Sequence, residues 1–211
     1  MLKNIIFDIG EVLLSYRWNY VLEVSGLSEE EGKRVGNLIF ADPIWSELDA
    51  GNVMLDEARL LYANKYPKDA RAIAFFLEHP EMMPLPREEV WEKLKELKEA
   101  GYKTYILSNY GKELFEMHVG SAPFLKHMDG AVISYQVHVC KPDARIYREL
   151  LDKYELSAEE CLFFDDRIEN VNGAIACGMQ SMMITSEEEL IRIMNTLIQQ
   201  ATVGTAAESA I

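Results

Sequence analysis

The sequence predicts an α/β fold, in which a parallel sheet lies between two layers of helices and a helical segment follows the first strand. Three observations lead to this prediction. Short apolar runs recur along the chain, helix-length amphipathic stretches separate them, and residues 16–84 show helical spacing with no clear strand. Hydrophobic residues make up 49% of the chain and charged residues 27%, which is ordinary for a globular protein.

The strands are predicted from short runs that are apolar throughout, as expected for strands buried on both faces of a sheet. The first run, residues 3–7, has the sequence KNIIF and ends immediately before an aspartate. Similar runs follow at residues 102–107, 131–133, 161–164 and 181–184. Because parallel strands that alternate with helices are joined by right-handed crossovers, these runs predict a single parallel sheet.

The helices are predicted from apolar spacing and from end signals. Residues 88–100 carry apolar side chains at helical spacing. Ser28 and Glu31 form the pattern of a capping box that opens a helix over residues 29–40, and residues 55–66 are also periodic. A core of residues 1–15 and 85–200 and a helical cap of residues 16–84 are therefore expected, with a frayed tail over 201–211.

The charge balance restricts the classes of partner. With 21 Lys and Arg against 35 Asp and Glu, the net charge is −14, which would repel nucleic acids and anionic membranes. No apolar run approaches the roughly 20 residues that cross a bilayer. An odd number of cysteines without metal-like spacing favours a reducing cytoplasm. We expect a cytoplasmic monomer or weak homodimer that binds neither nucleic acid nor membrane.

Polar side chains close three of the predicted strands, where ligands bind in an open parallel sheet. Asp8 closes the first, Ser108 the second, and the adjacent Asp165 and Asp166 close a third. A lone aspartate after a strand is often only a turn residue. Two adjacent carboxylates at the edge of a core repel each other unless a cation offsets them, so this pair predicts a Mg²⁺ site.

Four segments in chain order resemble the motifs of the haloacid dehalogenase superfamily of phosphatases and mutases. They are FDIGEV at residues 7–12, LSN at 107–109, CKPD at 140–143 and FFDDRIEN at 163–170. Each motif is weak alone, but four in the family's order are specific, and together they span nearly the whole chain. The resemblance implies a three-layer Rossmann-like core and identifies the helical segment as an inserted cap.

The resemblance also implies a nucleophile and a metal site. Asp8 would attack the phosphorus of a small phosphorylated metabolite, and water would later hydrolyse the resulting aspartyl phosphate. Mg²⁺ would be held by Asp8, the backbone carbonyl of Gly10 and Asp166, with Asp165 bound directly or through water.

Further positions are implied to handle the phosphate. Ser108 and the amide of Asn109, at a helix start, would bind phosphate oxygens. Lys141 would neutralise the charge that develops on the transferred group. Asn170 would orient a metal-bound water or Lys141.

One position departs from the family pattern. Most phosphatases of this family carry a second aspartate two residues after the nucleophile, and Gly10 stands there instead. Loss of a general acid or base removes about 10² to 10⁴ in rate. Glu11 is a weak substitute, because in an extended backbone its side chain points to the opposite side from that of Asp8. A leaving group of low pKa needs less protonation. The anomeric hydroxyl of a sugar is more acidic than an ordinary alcohol, which favours sugar phosphates such as glucose 1-phosphate. The motif FDxGxV also resembles bacterial α-D-glucose-1-phosphate phosphatases.

Two other functions stay open from the sequence. A 2-haloacid dehalogenase also lacks the second aspartate, although it needs no metal and leaves Asp165 and Asp166 without compensation. A catalytically inactive protein that binds a phosphorylated metabolite would keep the same residues. In the cap, Trp45, Asp49 and Asn52 are candidates to face the substrate. The ordinary interpretation is that Trp45 is a core residue and that Asp49 and Asn52 belong to a turn.

Overall fold

A computed structural model of the chain describes the backbone of residues 2–208 and the side chains of residues 2–201. The strands are β1 (Asn4–Phe7), β2 (Leu14–Tyr16), β3 (Pro84–Pro86), β4 (Lys103–Ser108), β5 (Gly130–Ile133), β6 (Cys161–Asp165) and β7 (Gln180–Met183). The helices are α1 (Trp18–Val24), α2 (Glu29–Ala41), α3 (Pro43–Asp49), α4 (Leu55–Lys65), α5 (Ala70–Glu78), α6 (Glu88–Glu99), α7 (Lys112–His118), α8 (Ser134–Val137), α9 (Ala144–Lys153), α10 (Ile168–Ala176) and α11 (Glu187–Glu208).

The main sheet has the order β5-β4-β1-β6-β7, and each neighbouring pair is parallel. This confirms the parallel sheet predicted from the apolar runs. Phe7, the last residue of β1, pairs with Ile106 in β4 and with Phe164 in β6. The residues that follow β1, β4 and β6 therefore meet at one edge of the sheet.

The sheet lies between two helical layers, as the sequence predicts. Successive residues of a strand face opposite sides of a sheet. Ile5 and Phe7 pack in one buried cluster with side chains of α6 and α11, whereas Ile6 packs in another with α9 and α10. Burial of apolar surface on both faces stabilises the core by about 25 cal/mol per Å².

The helices α1 to α5 enclose a separate apolar cluster. The predicted capping box is confirmed at the start of α2, where Ser28 and Glu31 exchange hydrogen bonds. The buried members of the cluster come from four helices and the segment after α5: Val21, Leu22, Val35, Ile39, Ala58, Tyr62, Ile73, Phe76, Leu77 and Met83. The helical segment therefore has a core of its own. The exact limits of the cap stay a prediction.

Two short strands connect the helical segment to the main sheet. β2 and β3 pair antiparallel, with Leu14 opposite Pro86 and Tyr16 opposite Pro84. These two strands were not predicted from the sequence, because each is only three residues long and one contains two prolines. The pair brings Tyr16 back beside the end of β1, where it bears on the site below.

At the C-terminus, α11 continues to Glu208 through the segment predicted to fray, and residues 209–211 lie outside the described residues. Across residues 2–208, no helix is both long enough and apolar enough to span a membrane.

Candidate active site

Three carboxylates converge at the carboxyl edge of the sheet. Asp8 follows the central strand β1, and Asp165 and Asp166 end and follow the adjacent strand β6. One oxygen of each of the three lies within 4.8 Å of the others. The parallel pairing of β1 and β6 produces this arrangement, and the backbone N–H of Asp8 continues the pairing by donating to Phe164 O at 2.9 Å.

A buried ammonium group lies between two of these carboxylates. The Nζ atom of Lys141 is 2.8 Å from Asp8 Oδ1 and 2.6 Å from Asp165 Oδ2, and it donates to Leu107 O at 3.0 Å. The Lys141 side chain is only 1% exposed. Burial alone would lower the pKa of Lys141, but the charges of Asp8 and Asp165 outweigh it and raise this pKa above its ordinary value. The ammonium therefore stays charged beside Asp8.

Two asparagines hold this arrangement in place. The Asn109 side chain exchanges two hydrogen bonds with the backbone of Lys141, donating to its carbonyl at 3.0 Å and accepting from its N–H at 2.7 Å. Asn170 Nδ2 donates to Asp165 Oδ1 at 2.9 Å. Asn170 thus contacts Asp165, and its predicted effect on Lys141 would pass through that carboxylate.

Ser108 is buried at the end of β4. Burial raises the pKa of Asp8, and the nearby Ser108 hydroxyl is one of the groups that partly oppose this rise. The prediction that Ser108 and Asn109 stand at a helix start is wrong, because α7 begins only at Lys112. The physical reason is a hydrogen bond from Tyr110 N to Ser134 Oγ at 2.8 Å, which holds this stretch outside the helix.

The protein leaves negative charge at this site only partly compensated. Burial raises the pKa of Asp8, Asp165 adds to the effect, and Lys141 opposes it. Burial, followed by the charges of Asp8 and Asp165, raises the pKa of Asp166 to about 7. Asp8 Oδ1 is buried and, although close to Lys141, has no hydrogen bond of acceptable geometry. A cluster of buried and partly buried carboxylate oxygens, with one lacking a donor, fits a hard divalent cation.

A cavity of about 470 Å³ extends from the carboxylates toward the helical segment. Asp8, Gly10, Asn109, Lys141, Asp166 and Asn170 line it from the sheet side, and Trp18, Phe40, Trp45, Ser46 and Asp49 line it from the helical side. Phe40 packs edge-to-face on both tryptophans, at ring distances of 5.6 and 4.8 Å. The third cap candidate, Asn52, is exposed and donates to Glu47 at 2.8 Å.

The structure gives a steric reason for the glycine at position 10. A Cβ atom built on Gly10 would lie 3.0 Å from Cε2 of Tyr16, which is tighter than ordinary van der Waals contact. The Glu11 carboxylate is already bound, since it accepts from Tyr16 N at 2.8 Å and from Arg87 Nη2 at 3.0 Å. A side chain at position 10 would therefore require the Tyr16 ring to move by a few tenths of an ångström.

Replacing Gly10 with aspartate is therefore expected to disturb the site rather than to restore the family pattern. We expect Gly10→Asp to lower the free energy of unfolding by about 1–3 kcal/mol through overpacking against Tyr16. Urea unfolding monitored by tryptophan fluorescence measures this loss. A variant with unchanged stability and faster turnover would contradict the steric explanation.

A partly buried chain of hydrogen bonds was not predicted from the sequence. His118 Nε2 donates to Pro80 O, so its Nδ1 accepts from Tyr110 Oη, which in turn accepts from Tyr16 Oη at 2.5 Å. Burial lowers the pKa of His118, which favours this neutral form. The sequence carries no local signal for this arrangement, because Tyr16 and Tyr110 are 94 residues apart.

Comparison with known proteins places this geometry in a family. The family model described as haloacid dehalogenase-like hydrolase matches residues 2–178. The chain is similar to drimenol cyclase drtB of Aspergillus calidoustus, with 26% identity over 93% of this chain and 37% of that protein. It is also similar to sesquiterpene phosphatase astK of Aspergillus oryzae, with 28% identity over 87% of this chain and 90% of that protein.

Among solved structures, the chain resembles the HAD family enzyme BT-2542 of Bacteroides thetaiotaomicron, determined in complex with magnesium and inorganic phosphate. The TM-score is 0.69 at 20% identity, and the match covers 88% of this chain and 96% of that one. This likeness establishes the fold. With the family match over most of its length, the chain belongs to the haloacid dehalogenase-like hydrolases.

Proposed function

We propose that this hydrolase is a Mg²⁺-dependent phosphatase that forms an aspartyl phosphate on Asp8. The observation that carries the proposal is that Asp8 contacts a buried ammonium group and belongs to a cluster of three carboxylates. When a carboxylate attacks a phosphate dianion, positive charge must offset the repulsion between the two anions. The chain supplies one cation, Lys141, and a cluster of carboxylates that could hold a second.

The metal would be held by Asp8, the backbone carbonyl of Gly10 and Asp166. Both oxygens of Asp165 already accept hydrogen bonds from protein groups. Asp165 is therefore better suited to hold Lys141 in place than to bind the metal directly. When bound, Mg²⁺ would offset the repulsion between the Asp8 carboxylate and the substrate phosphate. The magnesium and phosphate named for the BT-2542 complex support this choice of ion.

The remaining residues have roles that follow from their contacts. A carboxylate oxygen of Asp8 forms a bond to phosphorus as the bond to the leaving oxygen breaks. Lys141 neutralises charge on the transferred phosphoryl group. The Ser108 hydroxyl and the backbone N–H of Asn109 bind the oxygens of this group. Asn109 and Asn170 keep Lys141 and Asp165 oriented. Water then attacks the aspartyl phosphate and releases inorganic phosphate.

The substrate is proposed to be a small phosphomonoester whose organic part fills the 470 Å³ cavity. The leaving-group argument at Gly10 favours a sugar phosphate such as glucose 1-phosphate. The walls formed by Trp18, Phe40 and Trp45 favour contact with apolar surface. The similar protein astK is named as a sesquiterpene phosphatase, so a terpene phosphate is the second substrate to test.

Turnover on a panel of substrates tests the proposal. Purified protein with Mg²⁺ is expected to release phosphate from p-nitrophenyl phosphate and from glucose 1-phosphate or a sesquiterpenyl phosphate, above an Asp8→Asn blank. Halide release from 2-haloacids without metal would instead support the dehalogenase. Tight binding of phosphate esters without turnover would support a binding protein.

Mg²⁺ is expected to stabilise the fold, because it relieves repulsion among Asp8, Asp165 and Asp166. A ligand at 100 times its dissociation constant stabilises the state that binds it by about 2.7 kcal/mol. The thermal unfolding midpoint should therefore rise with added Mg²⁺. Asp166→Asn should lose the rise and Asp56→Asn, at an exposed cap residue, should keep it. An equal rise in both variants would place the ion elsewhere.

A further inference from the structure

Phosphate transfer from an alcohol to Asp8 requires a proton for the leaving oxygen, and hydrolysis of the aspartyl phosphate requires a base for water. Position 10 has no side chain, and the Tyr16 ring lies close to it. Glu11 is ion-paired with Arg87, at 3.0 Å. The group that moves these protons must therefore come from elsewhere in the cavity wall.

Most of the other titratable groups that line the cavity are poorly suited. Glu169 is ion-paired with Arg167 at 2.6 Å. Burial raises the pKa of the Cys140 thiol to about 11, and it raises the pKa values of the Tyr16 and Tyr110 hydroxyls above their ordinary range. Each of these groups is held in one protonation state near neutral pH.

Asp49 differs from these groups. It ends α3 on the helical side and lines the same cavity as Asp8. Burial and then the charge of Asp8 raise the pKa of Asp49 to about 7, while Lys141 and Arg167 oppose the rise. Both protonation states of this carboxyl are therefore accessible near neutral pH.

The backbone around Asp49 is attached to the core at several points. Ser134 Oγ donates to Asp49 O at 2.5 Å, and His138 Nδ1 donates to the next carbonyl, Ala50 O, at 2.9 Å. Gly51 has a φ of +71°, and a Cβ there would lie 2.9 Å from Cβ of Tyr135. These contacts present the Asp49 carboxyl to the cavity on a fixed backbone.

From this placement we propose that Asp49 is the general acid and base of the reaction, in place of the side chain missing at Gly10. The inference rests on the proposed phosphatase function. In the first step Asp8 bonds to phosphorus, the bond from phosphorus to the leaving oxygen breaks, and Asp49 gives its proton to that oxygen. In the second step Asp49 takes a proton from water as the water oxygen bonds to phosphorus, and the bond from phosphorus to Asp8 breaks.

The test compares wild type with Asp49→Asn on substituted phenyl phosphates of similar size, from p-nitrophenyl to p-methoxyphenyl phosphate. Nitrophenolate leaves without a proton, so kcat/KM for p-nitrophenyl phosphate should stay near the wild-type value. The loss in kcat/KM should grow as the leaving group becomes more basic. The kcat for p-nitrophenyl phosphate should fall by about 10² to 10⁴, because hydrolysis of the aspartyl phosphate loses its base.

A structural role for Asp49 predicts a different pattern. An equal loss of kcat/KM on every ester, or no loss on any, would overturn the inference. Asp49→Glu, which keeps a carboxyl, should recover part of the loss on basic leaving groups. Glu47→Gln, on the same helix but outside this cavity, is the matched control and should behave as wild type. Wild-type turnover no higher than that of Asp8→Asn would overturn the proposed function itself, before any Asp49 variant is measured.

Discussion

Asp8→Asn is expected to lower kcat by at least about 10⁴-fold with the fold intact, because an amide cannot attack phosphorus. Stability should stay level or rise. Burial and the charge of Asp165 already oppose ionisation of Asp8, as its raised pKa shows, so a neutral side chain of the same shape removes an unfavourable charge. Loss of activity without loss of stability distinguishes a nucleophile from a structural residue.

The measurement is phosphate release at saturating p-nitrophenyl phosphate and Mg²⁺, alongside thermal unfolding of the same samples. Asp152→Asn, at an exposed position of α9, is the matched control and should keep wild-type activity. Residual activity of Asp8→Asn above a tenth of the wild-type value would remove Asp8 from the role of nucleophile.

Lys141→Met is expected to cost both activity and stability. Lys141 is the cation that contacts Asp8 and Asp165, and its removal leaves two buried carboxylates without a counter-charge. Removing one partner of a buried ion pair typically costs about 3–5 kcal/mol of unfolding free energy. Turnover should fall by at least about 10²-fold, since the charge on the transferred phosphoryl group also loses its neutralising partner.

Urea unfolding and steady-state kinetics check these two losses. Lys112→Met is the control, because Lys112 is exposed and its nearest carboxylate, on Glu116, is 4.0 Å away. Exposed pairs of this kind contribute about 0–1 kcal/mol. A Lys141→Met protein as stable as the Lys112→Met protein would show that the buried ammonium does not compensate the carboxylates.

Much of the site could be predicted because its signals are local. An apolar strand followed by a polar residue needs only a few neighbouring positions to be recognised, and Asp8, Ser108, Asp165 and Asp166 all follow this pattern. Parallel pairing then brings them together without further information from the sequence.

The features that escaped the sequence depend on contacts between distant segments. Tyr16 and Tyr110 are 94 residues apart. Asp49 is a candidate from the sequence, but the contact of its backbone with Ser134, 85 residues away, has no local signal. From the sequence alone, the stretch around Asp49 has the composition of an ordinary turn.

The central claim is that phosphate passes through Asp8, and trapping the intermediate tests it most directly. The protein is mixed with substrate and Mg²⁺, quenched in acid after one turnover, digested and analysed by mass spectrometry. The Asp49→Asn variant should accumulate the adduct. We expect one phosphoryl group on Asp8, with none in the Asp8→Asn protein. Phosphate release with no adduct on Asp8, or an adduct on a different residue, would contradict the account.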